Sequence, residues 1–170
     1  VSDTNRFLYY YTTAHTFEVV AKIVKKYNLD IDNLYSRLYT RPLSEIRFKG
    51  YIGMNITVTD NKLGYIKIPA EKIIEFGVDP ASASNMLDEF NNVKEIITWA
   101  TFSQDTKNEV IRGSIRSRGP AVNELASKHG GGGHKYASGM KLNNWEQVDN
   151  IIIDLDNLCK KYLEKDKEVK

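Results

Sequence analysis

GGGGHKYASG, at residues 130–139, is the most informative stretch of this chain. The segment SIRSRG precedes it at short distance, at residues 114–119. Glycine reaches positive φ and has no Cβ, so the amides of consecutive glycines can close around an oxyanion. His134 follows the last glycine of the run, at the rim of such a concavity. The stretch therefore predicts a site for a phosphate or for a nucleic-acid backbone. A mobile loop between a helix and a strand is the alternative, because glycine runs also punctuate loops.

The residues before the glycine run alternate like a β-strand. From residue 109 to residue 118, the period of two places polar and basic side chains on one face of the predicted strand. That face holds Arg112, Ser114, Arg116 and Arg118, and the opposite face holds Ile111, Gly113 and Ile115. Arginine can bind a phosphate through two parallel N–H groups. The pattern favours a phosphate-binding strand over the alternative, a solvated edge strand with scattered charges.

The positive charge of the chain is concentrated in this region. Between Lys107 and Lys141 there are seven Lys and Arg against two Glu, a net charge of +5. The whole chain carries only +2, so the remaining residues carry −3. Such asymmetry focuses the electrostatic field on one surface and favours an anionic partner.

Length and composition set the broad class. The 170 residues are 41% hydrophobic and 27% charged, which suits one globular domain, or one domain and a piece of another. We expect no membrane partner and a cytoplasmic setting, because no apolar run approaches the roughly 18 residues that span a bilayer and no leader pattern is present. Cys159, the lone cysteine, falls on the apolar stripe of a predicted helix and is expected to be a buried, inert thiol. Trp99 is expected in the core.

The pattern of the first 44 residues predicts two helices. Thr12 and Thr13 can begin a helix that ends near Asn28, and Asp30 can cap a second helix that Pro42 terminates. Beyond a boundary near residue 45, helical and strand patterns alternate. We predict strands at 51–59, 63–68, 96–102, 109–117 and 136–142, with helices after Asp79-Pro80, at 122–128 and after Asn144.

Further predictions concern one turn, one helix face and the C-terminal tail. The turn at Asp60-Asn61 is expected to close a hairpin, and Ala83, Met86, Leu87 and Phe90 are expected on one face of the helix after Asp79-Pro80. The charged tail after residue 163 is expected to fray. The expected fold is an α/β domain with a mixed sheet of about five strands and packed helices, preceded by a linker helix.

Several motifs in order resemble those of a known family. The C-terminal half of DHH-family phosphoesterases contains motifs that this chain resembles in the same order. They are SDTNRF at residues 2–7 with TT at 12–13, NNVKEI at 91–96, SIRSRGPAVNELA at 114–126 and GGGGHKYASG at 130–139. Within that family they are most similar to the NrnA-type nanoRNases, and the resemblance runs from residue 1 to about residue 160. The Asp-His-His motif of the family is absent from this chain. The resemblance therefore implies that residues 1–44 are the end of a DHH catalytic domain with its linker helix, and that residues 45–170 form a DHHA1 domain.

The resemblance also implies a function. Enzymes of this family hydrolyse short oligoribonucleotides and linear dinucleotides, with 3′-phosphoadenosine 5′-phosphate as a further substrate. They use two Mn²⁺ ions held mainly by the DHH domain, where the ions activate a water and neutralise charge on the phosphate. By this resemblance Asp3 is the last metal ligand, although Asn5 stands where the family motif usually has glycine. The implied substrate-binding residues are Arg116, Arg118, Gly131, Gly132, Gly133, His134 and Ser138.

The family resemblance also implies which partners this chain has. A single carboxylate cannot hold two divalent ions, so we expect no hydrolysis by this chain alone and expect the missing DHH domain as its partner. A homodimer is compatible with the resemblance. Alternatives are a cyclic-di-AMP phosphodiesterase, a RecJ-like exonuclease and a non-catalytic RNA-binding DHHA1 appendage such as the one that ends alanyl-tRNA synthetases. The SDT motif argues against the appendage, which has no need of a metal ligand.

Overall fold

The computed structural model of the protein describes residues 7, 12–85 and 87–168. Contacts divide the chain into two units, Val1–Arg41 and Pro42–Lys170. The assignment of the first residues to a catalytic domain stays a prediction. Across the described residues, no helix combines the length and the apolar character that crossing a membrane requires.

The described part of the first unit forms two helices, α1 (Ala14–Tyr27) and α2 (Ile31–Tyr39). Thr13 precedes α1, and its N–H donates to Thr16 Oγ1 at 3.2 Å. Asn28 ends the helix in the left-handed conformation, with φ of 45°. Asp30 Oδ1 accepts the N–H of Asn33 at 3.0 Å and begins α2. The helix boundaries predicted for this part of the chain are confirmed.

The described residues of the second unit form a six-stranded sheet. Its strands are β1 (Thr57–Val58), β2 (Leu63–Ile68), β3 (Thr98–Asp105), β4 (Val110–Ser117), β5 (Gly132–His134) and β6 (Ala137–Leu142). Their order in the sheet is β1-β2-β3-β4-β6-β5, with β2 and β3 parallel and every other pair antiparallel. The mixed α/β fold is confirmed, and the sheet has one strand more than the roughly five predicted. The extra strand is β5, which lies within the glycine run that could have been a loop.

Helices pack on both faces of this sheet. They are α3 (Leu43–Asn55), α4 (Ala70–Phe76), the single turn α5 (Ser82–Asn85), α6 (Asn123–Lys128) and α7 (Trp145–Glu168), with a 3-10 helix at Leu87–Asn92. One core joins α6 and α7 to side chains such as Phe102, Ile115 and Leu142. A second core joins α3, α4 and α5 to β2 and to Trp99 of β3. The prediction that Trp99 and Cys159 are buried is confirmed, since they are 2% and 0% exposed.

The prediction of a strand at residues 51–59 is wrong for most of its length. The segment up to Asn55 belongs to α3, and the strand β1 comprises Thr57–Val58 alone. Phe48 and Ile52 are both fully buried, and residues four apart share one face of a helix. Burial of this pair against the second core selects the helix over the alternating pattern. The hairpin turn at Asp60-Asn61 is confirmed, because the N–H of Lys62 donates to the carbonyl of Thr59 at 2.9 Å.

The helix predicted after Asp79-Pro80 is also corrected. Asp79 Oδ1 accepts the N–H of Ala81 at 2.7 Å, as a cap should, but the α-helical turn ends at Asn85 and a 3-10 helix follows from Leu87. The carbonyl of Asn91 accepts a hydrogen bond from Arg118 at 2.9 Å, so a distant side chain holds the end of this segment. Ala83, Leu87 and Phe90 are buried as expected, and Met86 lies outside the described residues.

Two further helices depart from the sequence prediction. The short α4 was not predicted at all, although Gly77 ends it with φ of 60°. At the other end of the chain, α7 continues to Glu168, beyond the fraying expected after residue 163. The apolar stripe of α7 anchors its N-terminal part, where Val148, Ile151 and Leu155 are fully buried.

Candidate functional site

Part of one sheet face is left open beside the second core. The core formed with α3, α4 and α5 includes residues of β2 and β3 but no residue of β4, β5 or β6 among those described. The strand register aligns the side chains on this side of the sheet in three rows, each of which begins at a buried residue of β3 and continues onto the open face. The first row is Trp99, Arg116, Ala137 and His134; the second is Thr101, Ser114, Gly139 and Gly132; the third is Ser103, Arg112 and Lys141.

Arg116 and His134 lie in the same row, with Ala137 between them. Each is paired in register with Ala137, so their backbones are about 10 Å apart across two strand spacings. Arg116 Nη1 donates to the carbonyl of Ile115 at 3.0 Å, and no carboxylate among the described side chains forms a salt bridge with it. His134 is exposed. Because the intervening side chain is only a methyl group, both longer side chains can reach an anion held above it.

Ser138 supports His134 from the opposite face of the sheet. It is 3% exposed and pairs in register with Ile115, whose side chain belongs to the first core. Its hydroxyl donates to the carbonyl of His134 at 3.1 Å. The alternation of β6 therefore directs Ser138 away from the open face, and its hydroxyl holds the backbone of the histidine.

The glycines of the run have different roles. The N–H of Gly131 donates to the carbonyl of Ala126 at 2.8 Å, so this amide closes the end of α6 and is not free for an anion. A Cβ on Gly131 would lie 2.4 Å from the carbonyl oxygen of Gly139, and one on Gly133, with φ of 143°, would lie 2.5 Å from that of Ala137. A Cβ on Gly132 would meet nothing within 4 Å. Close backbone packing thus requires Gly131 and Gly133, while Gly132 lies on the open face.

Arg118 is held by the backbone of a neighbouring loop. Its guanidinium donates to the carbonyls of Asn91 at 2.9 Å and Ile96 at 2.6 Å, and also to the carbonyl of Val93. These contacts lie beyond the end of β4 at Ser117. The structure does not bring Arg118 into the row of Arg116, although the simple period of two groups them.

Arg112 forms an ion pair at the far end of the open face. Its Nε and Nη2 both lie 2.7 Å from Oδ2 of Asp105, which is 3% exposed. The side-chain amide of Asn108 also donates to Asp105, at 2.8 Å. The hydrogen bond from Asn108, and after it the contact with Arg112, lowers the pKa of Asp105 despite the opposing effect of desolvation. The carboxylate therefore stays charged and fixes the direction of the arginine.

A concavity of about 400 Å³ lies over the second and third rows. Its floor includes Arg112, Ser114, Gly139 and Lys141, and its wall includes Pro80 before α5. Lys141 and Gly139 were not among the predicted site residues. The alternation of β6 places residues 137, 139 and 141 on one face and could have indicated both residues. It predicts that they join the site only when β6 is known to lie beside β4.

No metal centre is formed by the described residues. They contain no group of three or more His, Cys, Asp or Glu side chains that could hold an ion. Asp3, the predicted metal ligand, lies outside the described residues. Burial raises the pKa of the Cys159 thiol to about 11, so this thiol is protonated at neutral pH and is not an activated nucleophile.

Comparison with known proteins gives a consistent picture. The family model described as the DHHA1 domain matches residues 60–161. A Bacillus subtilis protein named "Bifunctional oligoribonuclease and PAP phosphatase NrnA" is 32% identical over 162 residues, which are 95% of this chain and 51% of that protein. A Streptococcus mutans protein with the same name, marked "Probable", is 28% identical over 94% of this chain and 51% of its own length. This chain thus spans about half the length of the curated relatives it matches.

Solved structures with the same fold are also found. An exopolyphosphatase-related protein from Bacteroides fragilis superposes with a TM-score of 0.81 at 24% identity, covering 94% of this chain and 48% of that protein. A pGpG-specific phosphodiesterase from Vibrio cholerae gives a TM-score of 0.53 at 17% identity, covering 70% of this chain and 40% of that one. At these identities the likeness establishes the fold alone.

Proposed function

Because this chain belongs to the DHHA1 domain family, we propose that it is the substrate-binding C-terminal part of a DHH-family phosphoesterase. The observation that carries the proposal is the open row in which Arg116 and His134 flank Ala137. A guanidinium that forms no salt bridge with a carboxylate among the described residues and an exposed imidazole suit one anionic group. The name of the B. subtilis relative supports short oligoribonucleotides as substrates, with 3′-phosphoadenosine 5′-phosphate as a second substrate.

The role of the chain in this reaction is to bind and position the substrate. Arg116 donates N–H groups to a phosphate, and His134 adds a hydrogen bond from the neighbouring edge strand. Ser138 keeps the histidine backbone in place through its bond to the carbonyl. Holding the substrate in register contributes to catalysis by reducing the entropy that the reaction must lose.

Manganese is proposed only for the whole enzyme. The described residues do not fit a two-metal centre, because no group of three ligands is present among them. Asp3 is proposed as one ligand, with the others supplied by a DHH domain. We accordingly propose that this chain alone hydrolyses no phosphate ester. A setting in the cytoplasm and assembly as a homodimer are compatible with the proposed role.

Replacement of the two row residues provides the test. Arg116→Ala and His134→Ala should each weaken binding of 5′-phosphorylated diadenylate by about 1.5–3 kcal/mol, the usual contribution of a hydrogen bond to a charged group. Affinity is measured by calorimetric titration of this chain, and Tm is measured in parallel. Both variants should keep the wild-type Tm, because neither side chain is buried in a core.

Matched controls test whether the loss of any exposed arginine or histidine weakens diadenylate binding to the same extent. Arg47→Ala on α3 and His15→Ala on α1 remove the same side chains at exposed positions outside the row. A loss of affinity in these controls equal to that of the row variants would contradict the proposal. For the longer protein, manganese-dependent hydrolysis of the same diadenylate should fall sharply in His134→Ala, and this chain alone should show no turnover.

A further inference from the structure

The third row of the open face carries two positive charges that the proposed function does not use. Arg112 of β4 and Lys141 of β6 are directly opposite each other in the antiparallel register. Lys141 is exposed, and no carboxylate among the described side chains forms a salt bridge with it. Like charges placed opposite each other in a sheet are destabilising. The Asp105 carboxylate already offsets the charge of Arg112, so a bound phosphate would pair chiefly with Lys141.

The pair is too far from Arg116 to share its anion. Arg112 and Arg116 are four residues apart on β4, about 13 Å at the rise of a strand. A single phosphate therefore cannot be bound simultaneously at both ends of the open face. Only a ligand with two or more phosphates along its length can contact both.

The middle row leaves a trough between the two cationic rows. Its residues on β4, β6 and β5 are Ser114, Gly139 and Gly132, which present one hydroxymethyl group and otherwise only hydrogen atoms. A Cβ added to Gly139 would meet only the carbonyl oxygen of Gly113, at 3.6 Å. The space above these residues is thus open to a ligand and not filled by packing.

Arg112 is fixed in direction yet keeps donors for a ligand. The contacts with Asp105 use its Nε and Nη2. A guanidinium has five N–H donors, so three remain beyond this pair. Arg112 and Lys141 both line the concavity over the trough. An arginine anchored in this way loses less conformational entropy on binding than a free one.

We propose that Arg112 and Lys141 form a second phosphate subsite, which binds a phosphate of the same strand other than the one at Arg116 and His134. The subsite rests on the proposed function and extends it, because it makes affinity depend on the length of the oligonucleotide. Adenosine monophosphate occupies one subsite at most. A tri- or tetra-adenylate can cross the trough and occupy both.

The test compares AMP with 5′-phosphorylated di-, tri- and tetra-adenylates on this chain. Wild-type affinity should rise with length, and Lys141→Gln should weaken tetra-adenylate binding about five-fold while leaving AMP unchanged. The slope of log affinity against log salt for the tetra-adenylate should fall by about 1. Gly139→Val, which fills the trough at a position with room for a Cβ, should also weaken only the longer ligands.

The control is Lys160→Gln, which removes the same charge from an exposed position on α7. Equal weakening by this variant, or equal weakening of AMP by Lys141→Gln, would overturn the second subsite. Affinity that does not change with length in the wild type would overturn it as well, while leaving the proposed function intact. If the wild type binds no adenylate at all, both proposals fail.

Discussion

At the scale of single residues, neighbouring glycines of one run have opposite structural requirements. Gly131→Ala should destabilise the second unit by about 1–3 kcal/mol, because its Cβ would collide with the Gly139 carbonyl at 2.4 Å and with Met140 Cβ at 2.6 Å. Gly132→Ala should change the free energy of unfolding by no more than about 0.5 kcal/mol, since its Cβ meets nothing. Urea denaturation of the two variants checks the difference. Equal stability of the two would contradict the close packing described for Gly131.

Two side chains have positions that the period of two along a strand does not predict. The period of two correctly placed Arg112, Ser114 and Arg116 on one face of β4. It could not show that Arg118, one step beyond the strand, donates to backbone carbonyls of a loop more than twenty residues away. Nor could it show that Ser138 faces the first core, because the start and register of β6 depend on its pairing with β4.

At the scale of elements, the start of α7 is encoded locally and can be tested locally. Asn144 Oδ1 accepts the N–H of Gln147 at 2.9 Å, while Gln147 Oε1 accepts the N–H of Asn143 at 2.8 Å. Asn144→Ala should lower the free energy of unfolding by about 1 kcal/mol, the usual contribution of an N-cap. The matched control is Asn143→Ala, which keeps the backbone N–H that Gln147 accepts. Thermal unfolding should separate the two variants, and a larger loss in the control would count against the capping assignment.

Helix α3 shows why the local sequence pattern does not always predict secondary structure. Residues 51–59 alternate in polarity, yet most of the segment is helical in α3. The signal that decides between the two is the burial of Phe48 with Ile52, four residues later. A short apolar segment supports either period, so packing against the rest of the domain makes the choice.

At the scale of the whole molecule, the buried thiol makes stability depend on alkaline pH. The pKa of Cys159 is raised from an ordinary value near 9 to about 11 by burial. Its contribution to stability is fully present below pH 9 and is lost as pH rises through 11, because only the unfolded chain releases the proton in that interval. The free energy of unfolding should fall by about 1.4 kcal/mol per pH unit there.

Cys159→Ala is the comparison for this prediction. The variant is expected to be less stable at neutral pH because it leaves a cavity, but its stability should fall less steeply between pH 9 and 11. Chemical denaturation across this range measures both slopes, and the difference between them removes the common contribution of Tyr and Lys. Parallel slopes would contradict the raised pKa.

Features that depend on neighbours along the chain follow from the amino-acid sequence alone. These are the capped helix ends at Thr13 and Asp30, the alternating faces of β4, the cap at Asn144 and the motifs that carry the family resemblance. The three-dimensional fold is needed to show which strands lie side by side. The order β4-β6-β5 brings His134 into the row of Arg116 and places Lys141 opposite Arg112. Periodicity specifies which face a side chain occupies, whereas strand neighbours and register are selected by burial across the whole sheet.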